Sequence, residues 1–192
     1  MTNRIERLAL FGTLLATFGE LHPACDHWAQ GSKTASLKRL YGDHLVDRNG
    51  DPTEPETDNG QPAMTASALG RKAVAVHVAS YTAVQVAAAA TITRAFGYRL
   101  PTSSLLAGAV INASTHAALD RGAALMWLAK RANKVGYIEH CQATRLHEDG
   151  TVRTELTGPG SAWMELDAAM HRAIGVGAAA VTTWLATRRR RP

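Results

Sequence analysis

Cysteine is nearly absent from this chain: Cys25 and Cys141 are the only two in 192 residues. Two cannot build a disulfide framework, and no Cys-x-x-Cys pair exists for metal binding. A reducing cytosol or a cytoplasm-facing site fits best. Aromatic residues are also scarce, at 6%, and none is interleaved with the dense basic run Arg188–Arg191. Platforms for stacking bases are therefore missing, and nucleic acid is not expected as a partner. Charged residues make up only 19%, against the ~25% usual for soluble domains. With 46% hydrophobic residues the chain is not disordered; it packs tightly or meets a membrane. The net charge of +5 owes much to the terminal arginines, which read as a solvated tail or a contact for acidic headgroups. A signal peptide is not expected, because the apolar stretch Leu8–Phe18 runs into Glu20 without a small-x-small exit.

What is present is helical periodicity over most of one domain, residues 1–192. The expected fold is all-α, a four-helix up-down bundle. The first helix runs from about Asn3 to Gln30, with a kink or break near Glu20–His22 caused by Pro23. The second spans about Ser67–Phe96 and stops at Gly97. Pro101, Thr102 and Ser103 open the third, which continues to about Ala132. The fourth runs from Ser161 to the arginines. Between the first two lies a long polar segment, Tyr41–Ala66, expected to be an exposed loop. Its Asp47, Asn49 and Asp51 imitate a calcium loop, but Pro52 stands where that loop turns on glycine and no Glu closes it. Residues 137–156 alternate around Asp149-Gly150 and predict a small β-hairpin between helices three and four.

Three of the helices each carry a histidine and an aspartate four positions apart: His22 with Asp26, His116 with Asp120, and Asp167 with His171. That spacing places both side chains on one helix face, about 6 Å apart along the axis. His77 adds a fourth histidine from the remaining helix, followed on its stripe by Tyr81 and Gln85, and Asn112 extends the stripe of His116. The groups fall late, early, late and early along the four helices. In an up-down bundle that alternation brings all seven to one end. Neutral imidazole with ionised carboxylate suits a divalent metal such as zinc, manganese or iron, and seven donors are enough for two ions. Hydrolysis by an activated water is the natural chemistry, with Asp120 and Tyr81 as candidate catalytic groups beside the ligands.

Each pair taken alone reads more blandly, as a solvated face or a capped end; Asp167 suits the first turn of any helix. His27, His44, His140 and His147 lack such partners and read as surface residues, Cys25 as a packing residue, and the four tryptophans as core or interfacial anchors. Gly175-Val-Gly177 imitates a dinucleotide fingerprint inside an apolar helix with no strand before it. No P-loop, His-Glu-x-x-His or nucleophile elbow is present.

The segments His22-Pro-Ala-Cys-Asp26-His-Trp28-Ala-Gln30, Ala75-Val-His77-Val-Ala-Ser-Tyr81-Thr, Thr115-His116-Ala-Ala-Leu-Asp120-Arg121 and Leu166-Asp167-Ala-Ala-Met-His171 carry a resemblance. Together they resemble a domain-of-unknown-function family of small bacterial and phage proteins, similar to inner-membrane metal-dependent hydrolases. The resemblance covers all four helices in order but not Tyr41–Ala66, and it implies a metal site more than a substrate. Members often carry Gln after the last Asp, where this chain has Ala168.

The charge-free runs, Ala73–Thr93, Leu100–Leu119 and Ala173–Thr187, number 21, 20 and 15 residues. The first two just reach the ~20 needed to cross a bilayer. Their Ala, Ser and Thr insert poorly, and a mean hydropathy of −0.12 is low for four spans, so an Ala-rich soluble bundle competes. The expectation that follows is a metal-dependent hydrolase of phosphoesters or lipids, acting on a small-molecule or lipid substrate at the inner membrane. Against it stand a non-enzymatic helical protein with a buried His/Asp network or structural metal, and a phage or plasmid factor that binds a host membrane protein.

Overall fold

Each of the four apolar stretches forms a helix in the computed structural model, which describes residues 4–55 and 63–188. Helix α1, Arg4–Ala24, runs straight through the expected break and holds Pro23 in its last turn. Proline lacks an N–H and its ring crowds the carbonyl four residues back, which loosens the ladder. The loosening shows only after the proline, where the chain widens into one π-helical turn, Cys25–Ala29. A short helix, α2, follows at Ser32–Leu37.

The expected exposed loop is anchored near both ends. Strand β1, Leu45–Val46, pairs antiparallel with β2, Met64–Thr65, and Val46 is fully buried. The middle of that segment, 56–62, lies outside the described residues, as do most of the terminal arginines. Asp47 accepts the backbone N–H groups of Asn49 at 2.7 Å and Asp51 at 3.0 Å, so it serves a turn.

Helix α3, Ala66–Ala95, is capped by the Thr65 hydroxyl, which accepts the Ala68 N–H. Helix α4 covers Thr102–Asp120 and stops there, because Gly122 takes the left-handed conformation (φ 79°) that ends a helix. The expected third helix is thus two, with α5 at Ala123–Arg131. Then come α6, Val135–His140, and the expected hairpin, formed by β3, Ala143–Leu146, and β4, Val152–Glu155. The chain ends in α7, Ala162–Arg188. The fold is mostly helical, with two small antiparallel sheets among the described residues.

Helix α1 packs on α3 and α7, and α4 packs on the same two. Apolar residues fill the half remote from the histidines: Leu10, Leu14, Phe18, Ala89, Leu105 and Ala178 form one buried cluster. Buried threonines there return their hydroxyls to the carbonyl one turn back, as Thr182 does to Ala178 at 2.8 Å. Two smaller clusters cap the other end. One, around Leu37, Val46 and Leu69, lies beneath α2; the second, around Leu125, Ile138 and Trp163, lies beneath α5 and α6.

Small residues let the long helices approach closely. A Cβ on Gly108 of α4 would lie 1.9 Å from Thr182 Oγ1 and 3.2 Å from the Ala178 carbonyl of α7. The threonine can turn; the backbone carbonyl cannot. Gly108→Leu is expected to cost about 1–3 kcal/mol through overpacking, read as a lower unfolding midpoint of the purified protein.

The outward faces are unusual in what they omit. Between Lys72 and Arg94 the exposed positions of α3 are Ala75, Val76, Ala79, Ser80, Ala83, Val84, Ala87 and Thr91. On α4 they include Leu106, Val110, Ser114 and Ala118; on α7 beyond Arg172, Ala173, Val176, Gly177, Ala180 and Trp184. On α1 the charge-free exposed stretch is shorter, from Leu8 to Ala16. Exposed aromatic rings stand at both ends of this girdle, Trp28 and Trp127 towards the histidines and Phe96 and Trp184 away from them. Two helical stretches, Arg4–Ala29 and Ala66–Ala95, are long and apolar enough to cross a membrane.

Candidate metal centre

The seven residues singled out by spacing come together at one end of the long helices. His22 ends α1, and Asp26 stands on the π-helical turn, a local irregularity of the kind that recurs at functional sites. His77 comes from the first half of α3, His116 and Asp120 from the last turns of α4, and Asp167 and His171 from the first turns of α7. Six are buried; Asp26 is partly exposed.

Two groups of ligand atoms share His116: Asp26, His77 and His116 in one, His22, His116 and His171 in the other. In the first, His77 Nε2 and His116 Nε2 are 2.9 Å apart. Asp26 Oδ1 lies 3.2 Å from the former and 4.0 Å from the latter. Asp120 Oδ2 closes on the same two nitrogens at 3.4 and 3.3 Å. Four ligands held ~2.0 Å from a tetrahedral zinc stand about 3.3 Å from one another. The observed separations straddle that value. Each carboxylate turns its other oxygen towards the second group: Asp26 Oδ2 is 3.2 Å from His22 Nε2, and Asp120 Oδ1 is 3.9 Å from His171 Nε2.

Hydrogen bonding accounts for part of this crowding, since His77 Nε2 and His116 Nε2 bond to each other, but it leaves several inward atoms unpaired among the described residues. Asp26 Oδ1, Asp120 Oδ2, His22 Nε2 and His171 Nε2 are all buried without a hydrogen-bond partner. Desolvated lone pairs facing one another are costly unless a cation joins them. His171 Nδ1 donates to the Asp167 carbonyl at 2.8 Å, which leaves Nε2 as the lone-pair nitrogen turned inwards. The donor set therefore fits a divalent ion.

No family model, curated protein or solved structure matches this chain. Function is to be read from the site itself.

The other singled-out residues stand one step outside. Asp167 belongs to neither group; its carboxylate lies 3.8 Å from His171 Nδ1 and 3.8 Å from Arg39 Nη2. The Tyr81 ring packs 4.2 Å from that of His116, and its hydroxyl accepts the Gln85 side-chain N–H at 2.8 Å. Gln85 also donates to the Phe18 carbonyl at 3.0 Å and accepts from Asn112, a polar floor beneath the histidines. Cys25 packs in the interior; His27, His44 and His140 are exposed and His147 half-buried.

Three cations that spacing did not reveal complete the site. Lys38 Nζ donates to Asp120 Oδ1 at 3.0 Å, and the pair is buried. Arg39 approaches Asp167. Arg121 donates to the carbonyls of Lys38 at 3.0 Å and Leu40 at 2.8 Å, while its guanidinium stacks 3.8 Å from the Tyr41 ring centroid.

Proposed function

We propose that the chain is a metal-dependent hydrolase of the inner membrane, built as a four-helix up-down bundle with its His/Asp site at one end. The observation that carries this reading is the convergence of Asp26 Oδ1, His77 Nε2 and His116 Nε2 within 2.9–4.0 Å of one another, with Asp120 Oδ2 3.4 and 3.3 Å from the two nitrogens. Asp26, His77 and His116 would hold a first divalent ion, zinc, manganese or iron, with Asp120 beside them. His22 Nε2 and His171 Nε2, beside Asp26 Oδ2 and Asp120 Oδ1, would hold a second. A divalent ion supplies Lewis-acid charge there and makes a nearby water acidic enough to react near neutrality. Asp120, whose Oδ2 has no hydrogen-bond partner among the described residues, would be the group placed to take a proton from that water. Tyr81, which accepts from Gln85 and keeps its own phenolic proton, can donate to the leaving oxygen. The Asp167 backbone carbonyl positions His171 by accepting its Nδ1–H.

The membrane setting is supported by the uncharged outward faces with aromatic rings at both ends, a pattern that water-facing helices do not need. A charged or ionisable residue in such a chain faces the interior, as all seven site residues do.

A second reading is a closed polar network that fixes helix register, favoured by the Lys38–Asp120 pair, in which the protein already neutralises one carboxylate. Elemental analysis of protein purified gently without chelator separates the two. Near-stoichiometric metal is expected, lost in His77→Ala and His116→Ala. Asp167→Ala, which keeps the backbone carbonyl that orients His171, is expected to keep its metal. Metal-free wild-type protein gives the network reading.

A further inference from the structure

We infer that Lys38 and Arg39 form an oxyanion clamp at the mouth of the metal site, so that the group bound for hydrolysis is a phosphate ester. The inference rests on the metal reading above and specifies what that site would act on.

Side-chain exposure locates the mouth. His77, His116, Asp120 and His171 are 0% exposed, whereas Lys38 is 10%, Asp26 12% and Arg39 24% exposed. The least covered charged groups of the site therefore stand on the π-helical turn and at the end of α2, where the two cations are. A ligand reaching the ions passes both.

The cations are held in place from behind. Arg121 grips the backbone carbonyls of Lys38 and Leu40, fixing the turn that carries Lys38 and Arg39. Gly70 of α3 makes room for that grip: a Cβ there would lie 2.1 Å from Arg121 Nη1 and 2.5 Å from the Leu40 carbonyl. Asp120 and Arg121 are adjacent, so one end of α4 sets both the Lys38 ammonium and its backbone. A turn tied this firmly presents two charges in fixed positions, which is what recognition of a compact anion requires.

Both groups have donors to spare. Lys38 carries three N–H bonds and directs one to Asp120. Arg39 Nε is buried without a partner, and its Nη2 stands 3.8 Å from Asp167, beyond hydrogen-bond reach. The guanidinium rests 5.3 Å from the Trp163 ring centroid, which limits how far it can swing.

Charge decides the sign of the ligand. Asp26, Asp120 and Asp167 against Lys38 and Arg39 leave one net negative charge. One divalent ion reverses this to one positive, and a second raises it to three. The loaded site attracts an anion, and a phosphate offers each cation and ion an oxygen. Hydrolysis then adds water to phosphorus, breaks the ester P–O bond and returns the proton to the leaving alkoxide, giving an alcohol and phosphate.

The mouth also lies where the uncharged girdle ends, next to Trp28, which is 90% exposed. A phosphate ester carried on an apolar chain could bring its headgroup to this level. The same phosphate chemistry could come from a soluble ester, so the test uses both sources.

The full chain, metal-loaded in detergent micelles, is titrated with methyl phosphate and with dodecyl phosphate while metal content is read on the same samples. Both ligands are expected to bind. Arg39→Ala, and Lys38→Ala where it folds, are expected to weaken binding at least tenfold with metal content unchanged. Arg39→Ala that binds phosphate as tightly as wild type overturns the clamp. So does a fully metallated wild type that binds neither ligand. Metal-free protein instead overturns the metal reading and takes the clamp with it. Dodecyl phosphate binding at least tenfold more tightly than methyl phosphate supports a membrane amphiphile; equal binding overturns that assignment and leaves a soluble ester.

Discussion

Asp120→Ala is expected to strip the metal and also to destabilise the protein by about 3–5 kcal/mol, the cost of leaving a buried charge unpaired. The charge in question is Lys38, whose ammonium lies 3.0 Å from Asp120 Oδ1 in a buried pair. Its carbonyl is held by Arg121 and its side chain is buried, so the ammonium does not easily swing out to water. Bound metal stabilises a native state by mass action, so unfolding is compared with excess chelator present to isolate the ion pair. Under those conditions His22→Ala is expected to cost much less, because no buried charge loses its only partner. The double variant Lys38→Met/Asp120→Leu removes both charges and is expected to recover most of the loss while staying metal-free. A loss under 1 kcal/mol for Asp120→Ala would show that water reaches the pair, against the burial seen here.

The helical half of this site was legible because its spacing is local. A histidine and an aspartate four apart share a helix face whatever the tertiary fold, and the alternation of late and early positions predicts one common end. The structure places His22, Asp26, His77, His116 and His171 there as two overlapping groups, with Asp120 against both histidine nitrogens of the first. Asp167 has the same spacing to its histidine, yet the rotation of α7 turns its carboxylate towards Arg39. Spacing along one helix does not fix that rotation.

Lys38, Arg39 and Arg121 were illegible for the opposite reason. Lys38 and Asp120 are 82 residues apart in sequence, and α2, six residues long, is too short to show periodicity. Pro23 was visible, but its consequence, a π-helical turn that carries Asp26 rather than a break before His22, depends on how the following residues pack. The division at Gly122 did have a signal, a glycine after the last apolar turn of α4, which the apolar residues beyond it obscured. Gly175, singled out only as part of an imitation fingerprint, faces α1: a Cβ added there would lie 3.6 Å from Phe18 Cβ.

Val110→Arg is expected to abolish recovery of the protein in the membrane fraction. Val110 is 65% exposed midway along the charge-free run of α4, so a side chain there meets whatever surrounds the helices. If the surroundings are hydrocarbon, arginine at that depth costs about 2.5–3.5 kcal/mol on the insertion scale. That cost falls on a helix whose Ala, Ser and Thr give little in return, so insertion fails. If the surroundings are water, the same change adds one charge to a surface position, and stability moves by no more than about 0.5 kcal/mol. The control is Ser103→Arg, at the exposed start of the same helix, where a long side chain reaches the headgroup level and insertion is expected to persist. Fractionation of both variants beside wild type gives the answer. Membrane loss confined to Val110→Arg supports a hydrocarbon girdle and a metal site at its edge. A soluble, stable Val110→Arg protein that keeps its metal would remove the bilayer while leaving the His/Asp chemistry intact, and the substrate would then be sought among soluble phosphate esters.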